Sequence, residues 1–154
     1  MWQQGILHTN QGHVFKVSPG DWFKLHGRGF TLSAGKYIAS RRIYLHRELI
    51  CPPKGMIVDH INRDTMDNRR ENLRLTTYSG NSMNRRKPST ARLTKYKGVE
   101  RQPLCKKNPY IARITANKRR YYLGSFPTEE EAALAYNAAA LKYHGEFAYL
   151  NEVD

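Results

Sequence analysis

Residues 43–86 read IYLHRELICPPKGMIVDHINRDTMDNRRENLRLTTYSGNSMNRR, and this stretch decides the fold of the first half of the chain. Met56-Ile57-Val58 is an apolar run of strand type that ends in Asp59-His60. Adjacent strand residues point to opposite faces, but at a strand end the chain can turn both toward one site. Phosphodiester hydrolysis needs a base to activate water and a cation to hold charge on phosphate and leaving oxygen. His60 has the imidazole for the first task, since its ordinary pKa lies near neutrality. Asp59 is a hard oxygen ligand suited to Mg²⁺, and an asparagine carbonyl can add a second. Each feature also has a structural reading, an Asp-His pair within a fold and Asn-rich loops as turns.

Working outward, a polar excursion through Asn62–Asn72 leads to Leu73-Arg74-Leu75, a second strand, and a helix near Tyr78–Arg86. Upstream, Gly35–Ala39 and Ile43–Ile50 read as short strands, joined to the apolar run by the Cys51-Pro52-Pro53-Lys54-Gly55 loop. Residues 1–34 hold Trp22, Phe23 and Phe30 without periodicity, an irregular cap or a small extra sheet. Downstream, Lys87-Pro88-Ser89-Thr90-Ala91-Arg92 has proline, small polar residues and charge, and reads as a linker along phosphates.

Beyond it, Tyr96–Arg101, Pro109–Thr115 and Arg120–Gly124 read as three strands, with a turn at Ala116-Asn117-Lys118. A helix follows: Thr128 and Glu131 form a capping box, and Gly145 suits the stop. Ala132, Ala135, Tyr136, Ala139, Ala140 and Tyr143 recur at helical spacing and make a face that can lie close against a sheet. Tyr110, Ala112 and Ile114 alternate with Ile111, Arg113 and Thr115, so one sheet face meets this helix and the other is open.

Charge names the partner class. Lys and Arg number 26 against 13 Asp and Glu, a net +13, which points to a polyanion such as nucleic acid. With 154 residues there is room for one ordinary domain or two small ones. A mean hydropathy of −0.73 and the lack of a long apolar run argue against a membrane span. The N-terminus shows no basic segment followed by an apolar one, so no secretory signal is expected. Two cysteines in separate segments, Cys51 and Cys105, read as free thiols in a reducing cytosol rather than a zinc site.

The stretch quoted above resembles HNH endonucleases of the phage and intron-associated group over residues 37–86. The resemblance implies a ββα-metal core with one Mg²⁺ or Mn²⁺ per site. It makes Asp59 and Asn81 the metal ligands, His60 the general base, and Asn72 the residue that holds base and loop in place. This chain has Asn81 where some members carry His. It has Asn62-Arg63 where the loop often reads Asn-Gly, so a positive φ there would strain Arg63. His46 fits the family's leading strand as an accessory residue, with a hydrogen-bonded histidine behind the site as the alternative. Arg47, Arg63 and Arg74 are candidate phosphate contacts, while Asn62, Asn68 and Asn84 are assigned to turns and helix ends.

Residues 96–151, YKGVERQPLCKKNPYIARITANKRRYYLGSFPTEEEAALAYNAAALKYHGEFAYLN, resemble the plant apetala and ethylene-response-factor type of DNA-binding domain. Tyr96-x-Gly98-Val99, Tyr122-Leu123-Gly124-x-Phe126 and Leu150-Asn151 carry the match. It implies a three-stranded antiparallel sheet entering the major groove with one helix behind, and places Lys97, Glu100, Gln102, Arg113, Arg120 and Tyr122 on the DNA side. The plant proteins have arginines where this chain has Glu100 and Gln102, so their recognition sequence does not transfer.

The expectation is an α+β protein: an N-terminal extension (1–36), an HNH core (37–86), a basic linker (87–95) and a DNA-reading domain (96–154). Arg85, Arg86 and Lys87 are further DNA contacts. The expected activity is a homing-type endonuclease acting on double-stranded DNA. It is a monomer with no membrane or protein partner, in the cytoplasm of a host cell if phage-encoded. The rival reading is a DNA-binding transcriptional regulator with an inactive core.

Overall fold

The computed structural model describes residues 5–87 and 94–153. Most of the expected linker, 88–93, lies outside the described residues. Contacts divide the chain into two compact units, Met1–Asn81 and Ser82–Asp154. Both are mixed α and β with small sheets, mostly antiparallel.

The first unit opens with a hairpin, β1 (Gly5–His8) and β2 (Val14–Val17), then helix α1 (Pro19–Leu25). A second sheet follows: β3 (Thr31–Ser33), β4 (Tyr37–Ser40) and β5 (Ile43–Tyr44), all antiparallel. The strand expected over Ile43–Ile50 stops at Tyr44, and Leu45–Ile50 is helix α2. Leu45 and Leu49, four apart, both meet the core of Phe15, Val17, Leu25, Phe30 and Ile38, a spacing that a helix and a strand satisfy alike. Cys51 ends the helix in the left-handed region, its N–H on the Arg47 carbonyl at 2.8 Å.

β6 (Ile57–His60) carries Asp59-His60 and pairs antiparallel with β8 (Leu73–Thr76), with Asp59 opposite Arg74 and His60 opposite Leu73. Between them the chain forms β7 (Asp67–Asn68), which pairs in parallel with β2: Lys16 stands opposite Asp67 and Val17 opposite Asn68. Residues 5–17 therefore form a small sheet, one of the two readings for this region, with β7 added to its edge. Helix α3 (Tyr78–Asn84) follows β8, and the division between units falls inside it.

The second unit holds β9 (Val99–Arg101), β10 (Tyr110–Ala116) and β11 (Arg119–Phe126), antiparallel with β10 central. β9 is shorter than the expected Tyr96–Arg101, because Gly98 turns the chain at φ +76°. Asn117 and Lys118 both take positive φ, the mark of a tight turn matched to the strand twist. Leu123 bulges where the register shifts between Ala112–Gly124 and Arg113–Tyr122, which lets it reach the helix side. Helix α4 (Glu129–His144) starts at Thr128, whose hydroxyl accepts from the Glu131 N–H at 3.2 Å, and ends at Gly145. Ala132, Ala133, Tyr136, Ala139 and Ala140 are buried on it, while Tyr143 stays exposed and stacks on Tyr121. Asn151 ties the C-terminal segment down by accepting from the Lys97 N–H at 2.7 Å and donating to its carbonyl at 3.0 Å.

Candidate functional site

Asp59 and His60 are both buried at the end of β6. His60 Nε2 lies 3.3 Å from Asn68 Oδ1. The Asn68 amide donates through Nδ2 to the Thr65 carbonyl at 3.2 Å, and this fixes which end faces the imidazole. An oxygen there can only accept, so Nε2 carries the proton and Nδ1 is the basic nitrogen of the neutral ring. Burial pushes the His60 pKa below its ordinary value, against the Asn68 hydrogen bond and nearby carboxylates that raise it. The imidazole is thus neutral at physiological pH, the state a proton acceptor requires.

The loop after His60 is bound to itself and to distant segments. Asn72 Oδ1 accepts from the Asn62 N–H at 2.9 Å, and its Nδ2 donates to the Asp67 carbonyl at 2.7 Å. Asp67, 2% exposed, accepts from Asn62 Nδ2 and from Arg69, whose guanidinium holds the carboxyl below the usual carboxylate range. Arg70 reaches buried Asp21 with two bonds, at 2.7 and 2.9 Å, and its N–H donates to Ser18 Oγ. Thr65 Oγ1 donates to the Lys36 carbonyl at 2.6 Å. Arg63 sits at φ +68°, the strained conformation that the missing glycine implied.

Arg74 turns onto Asp59, its Nη2 2.9 Å and Nε 3.2 Å from Oδ2, with both side chains largely buried. A cation here would share the Asp59 carboxylate with that guanidinium. Asn81 lies half-buried on α3, its N–H on the Thr77 carbonyl. Among the described residues, no cluster of three or more His, Cys, Asp or Glu stands together as a metal cage. Arg47 is exposed on α2.

His46 is helical, on α2, and not on a strand. It is 7% exposed, and its Nδ1 has no hydrogen-bond partner among the described residues. Its ring meets His60 edge-on at 5.3 Å and packs against Tyr37 and Tyr44. Burial, then the neighbouring His60 and Arg47, lowers its pKa to about 4.

In the second unit, Arg113, Arg120 and Tyr122 lie on the sheet face away from α4, joined by Glu100. Glu100 pairs with Arg113 at 2.6 Å and also with Arg120. Tyr122 is exposed, its hydroxyl 2.7 Å from Ser125 Oγ, and Gln102 is exposed just past β9. The other candidates differ. Lys97 Nζ donates to the Met83 and Arg85 carbonyls, and Lys87 Nζ to Thr94 and the Val99 carbonyl at 3.1 Å. Arg85 and Arg86 are exposed.

Sequence reading missed Asp67 and Asn68. Both sit in an Asn-rich loop whose composition reads as turn, and their burial comes from β2, far away in sequence.

Comparison with known proteins follows the same division. Residues 51–83 match the HNH endonuclease family model. The chain is 36% identical over 102 residues to a protein of Acanthamoeba polyphaga mimivirus named as an uncharacterized HNH endonuclease, covering 66% of this chain and 50% of that one. It is 32% identical over 100 residues to an ethylene-responsive transcription factor of Arabidopsis thaliana, covering 64% of this chain and 60% of that one. An AP2/ERF and B3 domain-containing protein of Oryza sativa subsp. japonica is 45% identical over 58 residues, 38% of this chain and 15% of that protein. The chain thus spans about half the length of the mimivirus relative. It is similar to HNH endonucleases, with that family's segment at residues 51–83, and to AP2/ERF-type proteins over its C-terminal region.

Proposed function

We propose that this chain is a homing-type HNH endonuclease that hydrolyses duplex DNA near a site located by its second unit. The observation that carries the reading is the His60 imidazole, buried at the end of β6 with Nε2 3.3 Å from Asn68 Oδ1 and its pKa lowered by burial, which supports Nδ1 as the base. Nδ1 takes a proton from water as it attacks phosphorus in line. Asn72 holds the loop through Asn62 and Asp67, keeping His60 in place during that transfer.

Asp59 and Asn81 offer a carboxylate and an amide carbonyl, an all-oxygen donor set that fits a hard divalent cation such as Mg²⁺ or Mn²⁺. Such a cation would neutralise charge on the phosphate and the departing 3′ oxygen. Arg47 and Arg63 are assigned to phosphates, as are Arg85 and Arg86. Arg74 is assigned to holding Asp59. The domain division proposed is a scaffold (1–36), nuclease core (37–86), linker (87–95) and DNA-reading domain (96–154). With one such core, a monomer nicks one strand at a time.

One observation favours a second reading. The Arg74 guanidinium on Asp59 Oδ2 is what a core without a cation would keep, leaving a DNA-binding regulator. Cleavage of DNA carrying the bound site, with Mg²⁺ or EDTA, decides between them for wild type and His60→Ala. The nuclease predicts cutting that needs Mg²⁺ and is lost in the variant while binding persists. Binding without cutting in the wild type would establish the regulator instead.

A further inference from the structure

We propose that Glu100 is the specificity-determining residue of the second unit, reading cytosine in a C·G base pair beside a guanine-reading arginine. The inference rests on the proposal that this sheet face meets the DNA major groove, and it concerns what that face recognises.

Glu100 sits on β9 opposite Ile111, and shares its face with Arg113 and Arg120 on the two neighbouring strands. Its Oε2 accepts from Arg113 Nη1 at 2.6 Å, and its other oxygen accepts from Arg120. All three side chains remain open to solvent, at 46%, 31% and 56% exposure for Glu100, Arg113 and Arg120. A carboxylate at the middle of a face that meets a polyanion is repelled by every phosphate. The Arg113 and Arg120 guanidiniums offset that repulsion, and the carboxylate lone pairs left toward the groove are matched by a further hydrogen-bond donor on a base edge.

The major-groove edges offer two such donors, the N4 amino group of cytosine and the N6 amino group of adenine. The ion pair decides between them. A C·G pair presents N4–H₂ and then, side by side, the O6 and N7 acceptors of guanine. A carboxylate next to a guanidinium offers the complementary order, one acceptor followed by a fork of two donors. An A·T pair presents N6–H₂ between two separated acceptors, adenine N7 and thymine O4, so no two acceptors stand side by side for one fork. Glu100 also holds both guanidiniums over the sheet before DNA arrives, which reduces the entropy lost when they bind. Lacking this carboxylate, the two arginines would go to phosphates, which carry no sequence information.

The test is selection of bound duplexes from a random-sequence library, with the full chain in EDTA, for wild type, Glu100→Gln and Glu100→Ala. The wild type is expected to enrich sequences with a fixed C·G pair. Glu100→Gln should convert that pair to A·T, since glutamine matches adenine N6 and N7. Glu100→Ala should leave the position unspecified, with discrimination down about ten-fold and tighter binding to random duplex. The same enriched sequences from all three proteins would overturn the assignment, as would an adenine fixed by the wild type. A wild type that enriches no sequence would instead overturn the major-groove reading itself, and the role of Glu100 with it.

Discussion

His60 Nε2 and Asn68 Oδ1 stand 3.3 Å apart, and the far end of the same amide is anchored 3.2 Å from the Thr65 carbonyl. The anchor matters because a free asparagine could flip and offer a donor, placing the basic lone pair on Nε2. Asn68→Ala is expected to keep DNA binding and lower the single-turnover cleavage rate by about 10²-fold, the low end of what a positioned general base supplies. An unchanged rate would remove Asn68 from the site.

The sequence discloses His60 and conceals Asn68 for physical reasons. Asp59-His60 closes an apolar run, and that pattern marks a strand end directly. Asn68 is buried because Val17 on β2 pairs with it, and no local pattern reports a contact that distant. α2 was concealed differently, since six residues with apolar groups at both ends fit a strand or a helix equally well. In the second unit the capping box and alanine face are local signals, so α4 is legible. The ion pairs of Glu100 join three strands and are not.

Arg63 occupies the left-handed region at φ +68° in the turn after His60. Arg63→Gly removes a backbone strain of about 1 kcal/mol and should raise the unfolding midpoint in urea. The same change should lower the slope of log binding constant against log salt by about one, as expected for a lost phosphate contact. A stabilised variant with an unchanged salt slope would leave Arg63 with no role on DNA.

Asp21 and Arg70 connect α1 to the loop that follows His60. Asp21 is buried while Arg70 is half exposed, so losing the pair leaves the arginine free to turn to water. Asp21→Asn should cost about 1.5–3 kcal/mol of stability, the range for hydrogen bonds to a charged group. Cleavage should fall with binding retained, because the loop loosens around Asn68 and Asn72. Faster amide exchange at residues 61–72 is the direct readout, and protection equal to wild type would refute the clamp.

His46 links stability to pH. The groups facing it are His60, Tyr37 and Tyr44, with Arg47 beside it on α2. Folding lowers its pKa to about 4, so between that value and its ordinary 6.5 the unfolded chain binds the extra proton. Its contribution is complete above pH 6.5 and is lost as pH falls toward 4. Denaturant unfolding should show a loss of about 2 kcal/mol from this residue between pH 7 and pH 5. His60 is shifted in the same direction, so His46→Phe should flatten the decline without abolishing it. An identical pH profile in the variant would show that His46 is not the proton-linked group.

Gly98 and Gly145 separate two costs that a positive φ usually mixes. Both have positive φ, +76° and +54°, and Gly145 has ψ −128°, outside the αL basin. A methyl group on Gly145 would meet nothing within 4 Å, so Gly145→Ala carries only a backbone cost, about 1–3 kcal/mol. A methyl group on Gly98 would stand 1.9 Å from the Tyr136 ring and 2.8 Å from the Arg113 carbonyl. Tyr136 is buried against Ile114, Ala139 and Ala140 and cannot swing away. The Arg113 carbonyl is backbone of the central strand, whose N–H already donates to the Gly98 carbonyl at 2.8 Å. Gly98→Ala should therefore cost about 2–5 kcal/mol, the sum of strain and overpacking. DNA binding should weaken with it, because the displaced strand carries Arg113. Thermal unfolding of the two variants side by side is the measurement, and equal losses would mean that the Gly98 contact with Tyr136 does not constrain the sheet.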